Sequence, residues 1–172
     1  EVSLGKQVGL SPYRVLDVEA EGIRPGSDGL VVLPYFMGER SPIWDPRAKG
    51  LIVGLTLSHT RAHIFKALME SAAYALRHNV ETARKSDIPL KPTMGLVDGG
   101  ARSRVWRKIF ADVTKYPQVF MANSPGTPVG DAFLSGVGTG VIKGYESIKE
   151  WIAATEVQNP DLENSKIYDK YY

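Results

Sequence analysis

The stretch Asp98-Gly99-Gly100-Ala101-Arg102-Ser103 stands between a short apolar run over residues 94–97 and an amphipathic segment carrying Val105, Trp106, Ile109, Phe110 and Val113. The apolar run predicts a strand, and the three- and four-residue steps after it predict a helix capped by Ser103 or a near neighbour. The two glycines therefore mark the point where strand gives way to helix. Neither has a Cβ, which lets a flat ligand come close to the backbone. The helix that follows turns free N–H groups and the positive end of its dipole towards the same space. A nucleotide suits such a place. A plain tight turn would read the same way at this one site, so the rest of the chain has to separate the two readings.

Working upstream, the longest predicted helix runs over about residues 60–83, with Ile64, Ala67, Leu68, Ser71, Ala72 and Ala75 on one face. Small residues on that face predict close packing. Ser11 and Pro12 predict the N-cap and first residue of a shorter helix reaching about residue 20, which Pro25-Gly26-Ser27-Asp28-Gly29 then breaks. A buried strand over 30–36, an ordered loop over 38–49 and a second strand over 51–56 follow. Downstream, residues 118–122 predict a fourth strand. The turn Asn123-Ser124-Pro125-Gly126-Thr127-Pro128 then opens a helix with Thr127 as N-cap and Pro128 at its first position. Its glycines and alanines, through residue 138, predict a close approach to whatever it touches. Ser147 and Glu150 have capping-box spacing for a last helix through residue 154. From residue 159 the chain is polar and reads as a poorly ordered tail. Strands alternating with helices define an α/β layer fold.

The composition agrees with one packed domain: 172 residues, 43% hydrophobic and 23% charged. No run approaches the roughly 20 consecutive apolar residues that span a bilayer, and no secretory signal pattern opens the chain, so the sequence reads as cytoplasmic. The absence of cysteine excludes disulfides and thiolate metal sites. The net charge of +2 is scattered rather than gathered into runs, which gives nucleic-acid binding no support.

Gly50-Leu51-Ile52-Val53-Gly54-Leu55, seven further residues, and then His63-Ile64-Phe65-Lys66-Ala67-Leu68-Met69-Glu70 resemble the second signature of the FGGY carbohydrate kinases. Residues 33–42 and Trp44-Asp45-Pro46 are similar to that family's preceding loop, above all in its xylulokinase-like members. Asp98-Gly99-Gly100-Ala101 resembles its adenosine motif, and residues 126–140 its closing glycine- and alanine-rich helix. The likeness covers about residues 29–152. It implies an actin-like ATPase, ribonuclease-H-like domain with a mixed sheet and flanking helices, incomplete at its N-terminal end. Residues 1–158 would form part of the C-terminal, nucleotide-binding domain and 159–172 the polar tail. The family's N-terminal domain, its general-base aspartate and its phosphate-gripping Gly-Thr turn have no counterpart here.

The activity so implied is transfer of the γ-phosphate of ATP, with Mg²⁺, to a sugar or polyol hydroxyl, and no catalytic residue is expected within this chain. Its partners would be that substrate and its own N-terminal domain, with a homodimer as a further prospect and neither nucleic acid nor membrane. Carried over residue by residue, the nucleotide would meet Gly99, Gly100, Ala101, Ser103 and Arg104, with Gly100 closest. Arg104 stands where the family often has an adenine-contacting Asn; its guanidinium either stacks on the base or points into water. A non-catalytic nucleotide-binding or scaffold module of the same fold is the rival reading.

Other polar residues carry two readings each. Glu39, Arg40 and Asp45 suit a salt-bridged loop anchor better than a substrate or Mg²⁺ contact. Arg61, in the first turn of its helix, opposes the dipole, which calls for a specific partner or leaves a solvated side chain. His63 and Glu70 share a helix face and suit satisfaction of buried polar groups better than acid–base work. His59 and His63 have a spacing that holds metals, but lack a third ligand. Thr127 and the Gly126 amide face phosphate or only cap a helix, and Asp131 gains from the dipole near a helix start.

Overall fold

In the computed structural model, which describes residues 9–97, 99–121, 126–151 and 156–172, helices cover two small sheets. Helix α1, Pro12–Glu21, begins where Ser11 caps it, the Ser11 Oγ accepting from the Arg14 N–H at 3.2 Å. Strands β1, Val31–Leu33, and β2, Leu51–Val53, pair antiparallel. The long helix α2, Arg61–Lys85, follows, with Thr60 as its N-cap. Strand β3, Met94–Leu96, leads through a 3₁₀ turn at Gly100–Arg102 into helix α3, Arg104–Thr114, which Ser103 caps. Strand β4, Gln118–Phe120, lies parallel to β3, and β5, Glu156–Gln158, antiparallel to β4. Between β4 and β5 come α4, Thr127–Gly138, and the short α5, Ile148–Trp151; α6, Leu162–Tyr168, closes the chain. The fold is mixed α/β with a mixed sheet, as expected.

Helix α2 is the axis of the core. One side meets Ala20, Val105, Ile109, Val113 and Tyr168 through Met69 and Ala73, and the other meets Leu30 and Val32 through Ala67. The buried face is thus wider than the predicted stripe: Ala73 and Met69 are buried, while Leu68 is exposed. Contacts on two sides, rather than one, account for the difference.

Other elements depart from expectation for local reasons. The first strand is three residues long because the chain turns at Pro34, whose carbonyl accepts from the Phe36 N–H at 2.9 Å. The second ends at Gly54, where φ is +86° and a Cβ would lie 2.4 Å from the Gly29 carbonyl oxygen. All three residues of β2 are exposed, so the hairpin has an apolar strand open to solvent. Helix α4 is closely packed only in part: Phe133 is its buried residue, set edge-on against Trp151, and a Cβ on Gly136 would lie 2.5 Å from Ile142 Cδ1, while open space lies beside Gly130 and Gly138. Gly126 precedes that helix and Thr127 is its first residue, so Thr127 is not the N-cap. Ser147 belongs to a 3₁₀ turn, Tyr145–Ser147, and its Oγ donates to the Gly144 carbonyl at 2.8 Å. Asp98, the predicted end of β4 at residue 122, the turn at 123–125 and the helix end at 154 lie outside the described residues.

The expected tail is instead a docked helix. Asp161 caps α6, and Tyr168 is 1% exposed. The buried Asp112 carboxylate accepts from the Asp161 N–H at 2.7 Å and from Asn164 Nδ2 at 2.9 Å, while Ser165 Oγ donates to the Asp112 carbonyl at 2.7 Å. Asp169 accepts from Arg77 and Lys115. The segment is polar because polar contacts hold it.

Glu70 ties the turn after α1 and the end of α6 to α2. Its carboxylate, 1% exposed, accepts from the Gly26 N–H at 3.0 Å, Ser27 Oγ at 2.8 Å and the Tyr168 hydroxyl at 3.0 Å. Burial raises its pKa above the ordinary 4.5, against the pull of Ser27, Gly26, Lys66 and Tyr168. Tyr168→Ala should therefore cost about 3–5 kcal/mol in urea unfolding, the usual toll of removing a buried aromatic. A carboxyl whose folded pKa is raised stabilises fully below its unfolded pKa, and that stability is lost as pH rises through the folded value. Wild type should accordingly exceed Glu70→Gln by about 1–3 kcal/mol near pH 4, and the lead should narrow as pH rises.

Candidate functional site

The glycine bend opens on a cleft of about 670 Å³ walled by α1, α2 and the start of α3. Phe65, Leu68 and Met69 come from α2, Tyr13, Arg14 and Asp17 from α1, and Gly99, Gly100, Arg102, Ser103 and Trp106 from the bend and α3. The walls are mainly apolar and aromatic, with a few polar groups, which is the make-up of a site for a flat heterocycle. Trp106 is fixed there by its indole N–H, which donates to the Met69 carbonyl at 3.1 Å, and by stacking on Phe110 with ring centroids 5.5 Å apart.

The two glycines do different work. A Cβ on Gly99 would meet nothing within 4 Å, so this residue leaves the cleft open. A Cβ on Gly100 would lie 2.6 Å from Cζ3 of Trp106, so its bareness admits the indole ring. Gly99, rather than Gly100, is therefore the glycine with free space beside it.

The other expected contacts divide. Ser103 lines the cleft, but its Oγ is engaged on both sides: it accepts from the Trp106 N–H at 3.1 Å and donates to Asp17 Oδ1 at 2.9 Å. Asp17 is buried, which pushes its carboxyl up, and the Ser103 hydrogen bond opposes that shift. Ala101 is buried beneath the bend, its carbonyl accepting from Arg107 Nη1 at 2.6 Å. Arg104 faces away from the cleft, with Nε 3.9 Å from Glu156 Oε1. Attraction to Glu156 and its place on the helix turn it there, and Arg102 lines the cleft instead.

The remaining candidates fall into structural roles. Glu39 Oε1 accepts from the Arg40 and Ser41 N–H groups at 2.6 and 3.1 Å, and Asp45 Oδ1 from the Arg47 N–H at 2.8 Å. Carboxylate-to-backbone bonds therefore anchor the loop, and one side-chain ion pair of the expected kind joins them, Asp45 Oδ1 with Arg47 Nε at 3.5 Å. Arg61 has its partner: its Nε donates to Glu19 Oε2 at 2.9 Å, joining α2 to α1. His63 accepts from the Thr60 N–H through Nδ1 at 3.1 Å, and its Nε2 lies 3.2 Å from Asp28 Oδ2, so with Glu70 it satisfies polar groups. His59 packs edge-on against His63 at 5.3 Å, and its Nδ1 accepts from the Thr56 N–H. Among the described residues no three His, Asp or Glu side chains converge as a metal site. Asp131 lies beyond the first turn of α4, where the dipole acts most strongly.

The mixed fold has its counterpart in known proteins. The chain matches the C-terminal domain of the FGGY family of carbohydrate kinases over residues 11–139, and it belongs to that family. It is 35% identical over 172 residues to a gluconokinase of Bacillus licheniformis, covering 99% of this chain and 33% of that protein. A xylulose kinase of Staphylococcus epidermidis is 30% identical over 154 residues, which is 89% of this chain and 31% of that protein. The crystal structure of xylulose kinase from Rhodospirillum rubrum superposes with a TM-score of 0.75 at 38% identity, over 92% of this chain and 31% of that one. The actin-like, ribonuclease-H-like fold of these kinases is thus the fold of this chain, which spans about a third of the length of the relatives it matches.

The two glycines separate by experiment. Gly100→Ala should lose about 1–3 kcal/mol of stability by forcing Trp106 from its place, whereas Gly99→Ala should change it by less than about 0.5 kcal/mol, both read by chemical denaturation.

Proposed function

We propose that this chain supplies the nucleotide-binding half of an ATP-dependent kinase that phosphorylates a hydroxyl of a sugar or polyol. The observation that carries the reading is the open face of Gly99 in an apolar, aromatic-walled cleft, where a purine ring fits against backbone with Trp106 and Phe65 nearby. Arg14 and Arg102 line the same cleft and give it positive charge for an anionic ligand. Asp17 is the carboxylate of the cleft, and Ser103 holds it, so the described residues favour the base and sugar of the nucleotide over a Mg²⁺ ion.

Phosphoryl transfer asks the protein for positioning and charge stabilisation, to which a bound Mg²⁺ would add by neutralising phosphate charge. On this reading the chain orients ATP, and the acceptor hydroxyl, its general base and the sugar pocket come from an N-terminal domain of the same protein. Gluconokinase, xylulose kinase and glycerol kinase all occur among its relatives, which supports an acceptor in the class of sugars, sugar acids and polyols. The open apolar strand β2 supports burial of this face against further protein, whether that N-terminal domain or a second copy. No described helix is long and apolar enough to cross a membrane.

The test is calorimetric titration of ADP. Saturable binding is expected to weaken about tenfold or more in Gly99→Leu, whose side chain enters the space meant for the base. Equal affinities in the two proteins would remove the nucleotide from this cleft.

A further inference from the structure

The three helices that wall the glycine cleft also wall a second one, of about 400 Å³, with different residues: Glu21 from α1, Lys66 from α2, and Arg104, Lys108 and Asp112 from α3. Lys66 is its unusual member. The side chain is 6% exposed, and its ammonium donates to a neutral acceptor, the Ile23 carbonyl. An ammonium has three N–H bonds to give, and a buried charge is costly unless a counter-charge and further acceptors meet it. Burial accordingly lowers the pKa of Lys66, opposed by Glu70, Asp112, Asp28 and Glu21 acting at longer range.

The carboxylates of the cleft do not answer that need. Asp112 is already committed, accepting from Lys108 Nζ at 2.7 Å, the Asp161 N–H at 2.7 Å and Asn164 Nδ2 at 2.9 Å. Lys108 and Asp112 therefore neutralise one another. Glu21 is exposed at the rim. Arg104, 74% exposed, reaches Glu156 only at 3.9 Å. Lys66 and Arg104 thus bring two positive charges to one cleft, and of the described carboxylates near them Glu21 is exposed at the rim and Glu156 is shared with Arg107.

We propose that this cleft binds a phosphate group, free or on a small ester, through the Lys66 ammonium and the Arg104 guanidinium. A phosphate oxygen supplies the negative charge and the acceptors that the ammonium lacks, and the guanidinium fork suits two further oxygens. The proposal is independent of the nucleotide reading, since the two clefts share helices but not the side chains named.

The measurement is an NMR titration of the folded chain with inorganic phosphate and, separately, with glycerol 3-phosphate. Saturable shifts at Lys66, Arg104 and their neighbours are expected, with the affinity falling about tenfold or more in Lys66→Met and severalfold in Arg104→Ala. Gly99→Leu should leave phosphate binding unchanged. Tighter binding of glycerol 3-phosphate than of phosphate would support the site and identify the ester as its occupant. Arg104 is a surface residue, so its variant tests the site even if Lys66→Met fails to fold. The proposal falls if neither probe saturates, or if Arg104→Ala binds as wild type does; Lys66 then serves only to hold the Ile23 carbonyl.

Discussion

A single buried carboxylate governs the arrangement of this chain. Glu70 takes hydrogen bonds from residues 26, 27 and 168, so the turn after α1, the middle of α2 and the end of α6 meet at one side chain. Its three donors offset part of the penalty of burying it, which is the condition under which such a group is tolerated. One turn earlier on the same helix, Lys66 holds the Ile23 carbonyl, and at its start Arg61 pairs with Glu19. Helix α2 thereby holds α1 by polar contacts as well as by apolar ones. The glycine cleft inherits its shape from this arrangement, because one wall is α1 and another is α2.

The parts of the fold legible in the sequence are those with local causes. Ser11 and Ser103 head their helices as the residue pattern predicts, and the amphipathic spacing of Val105, Ile109 and Val113 delivers three buried residues of α3. What escaped has distant causes. Helix α6 is bound through Asp112, about fifty residues upstream, as well as through Tyr168, and its other side chains are mostly polar, so hydropathy alone marks it as solvent-facing. The capping pattern at Asp161 was the local signal that it is helical. Helix α4 meets the expectation only in part: glycine permits close approach without requiring it, so Gly136 admits Ile142 while open space lies beside Gly130 and Gly138.

The site divides along the same line. The bend at Gly99 and Gly100 was visible because a strand, two glycines and a capped helix are adjacent in sequence. Its opposite wall was not, since Tyr13, Arg14 and Asp17 lie more than eighty residues away and form no motif. Membership of the motif also did not settle direction. Arg104 is near the bend yet its guanidinium goes to Glu156, and Gly100 yields its space to an indole. Glu39 shows the same limit, since charge suggested an ion pair where its donors are backbone amides, whereas Asp45 adds a pair with Arg47 to its amide bond.

Trp106 has a consequence for how the chain can be observed. Its indole forms part of the cleft wall, anchored by the bond to Met69, whereas Trp44 is largely open to water and Trp151, packed edge-on against Phe133, is partly so. Emission from the three rings is therefore unequal in colour: the sheltered one contributes at shorter wavelength and the exposed pair at longer. Quenching confined to the blue edge of the spectrum would report occupancy of the cleft without any label, making the protein its own optical gauge.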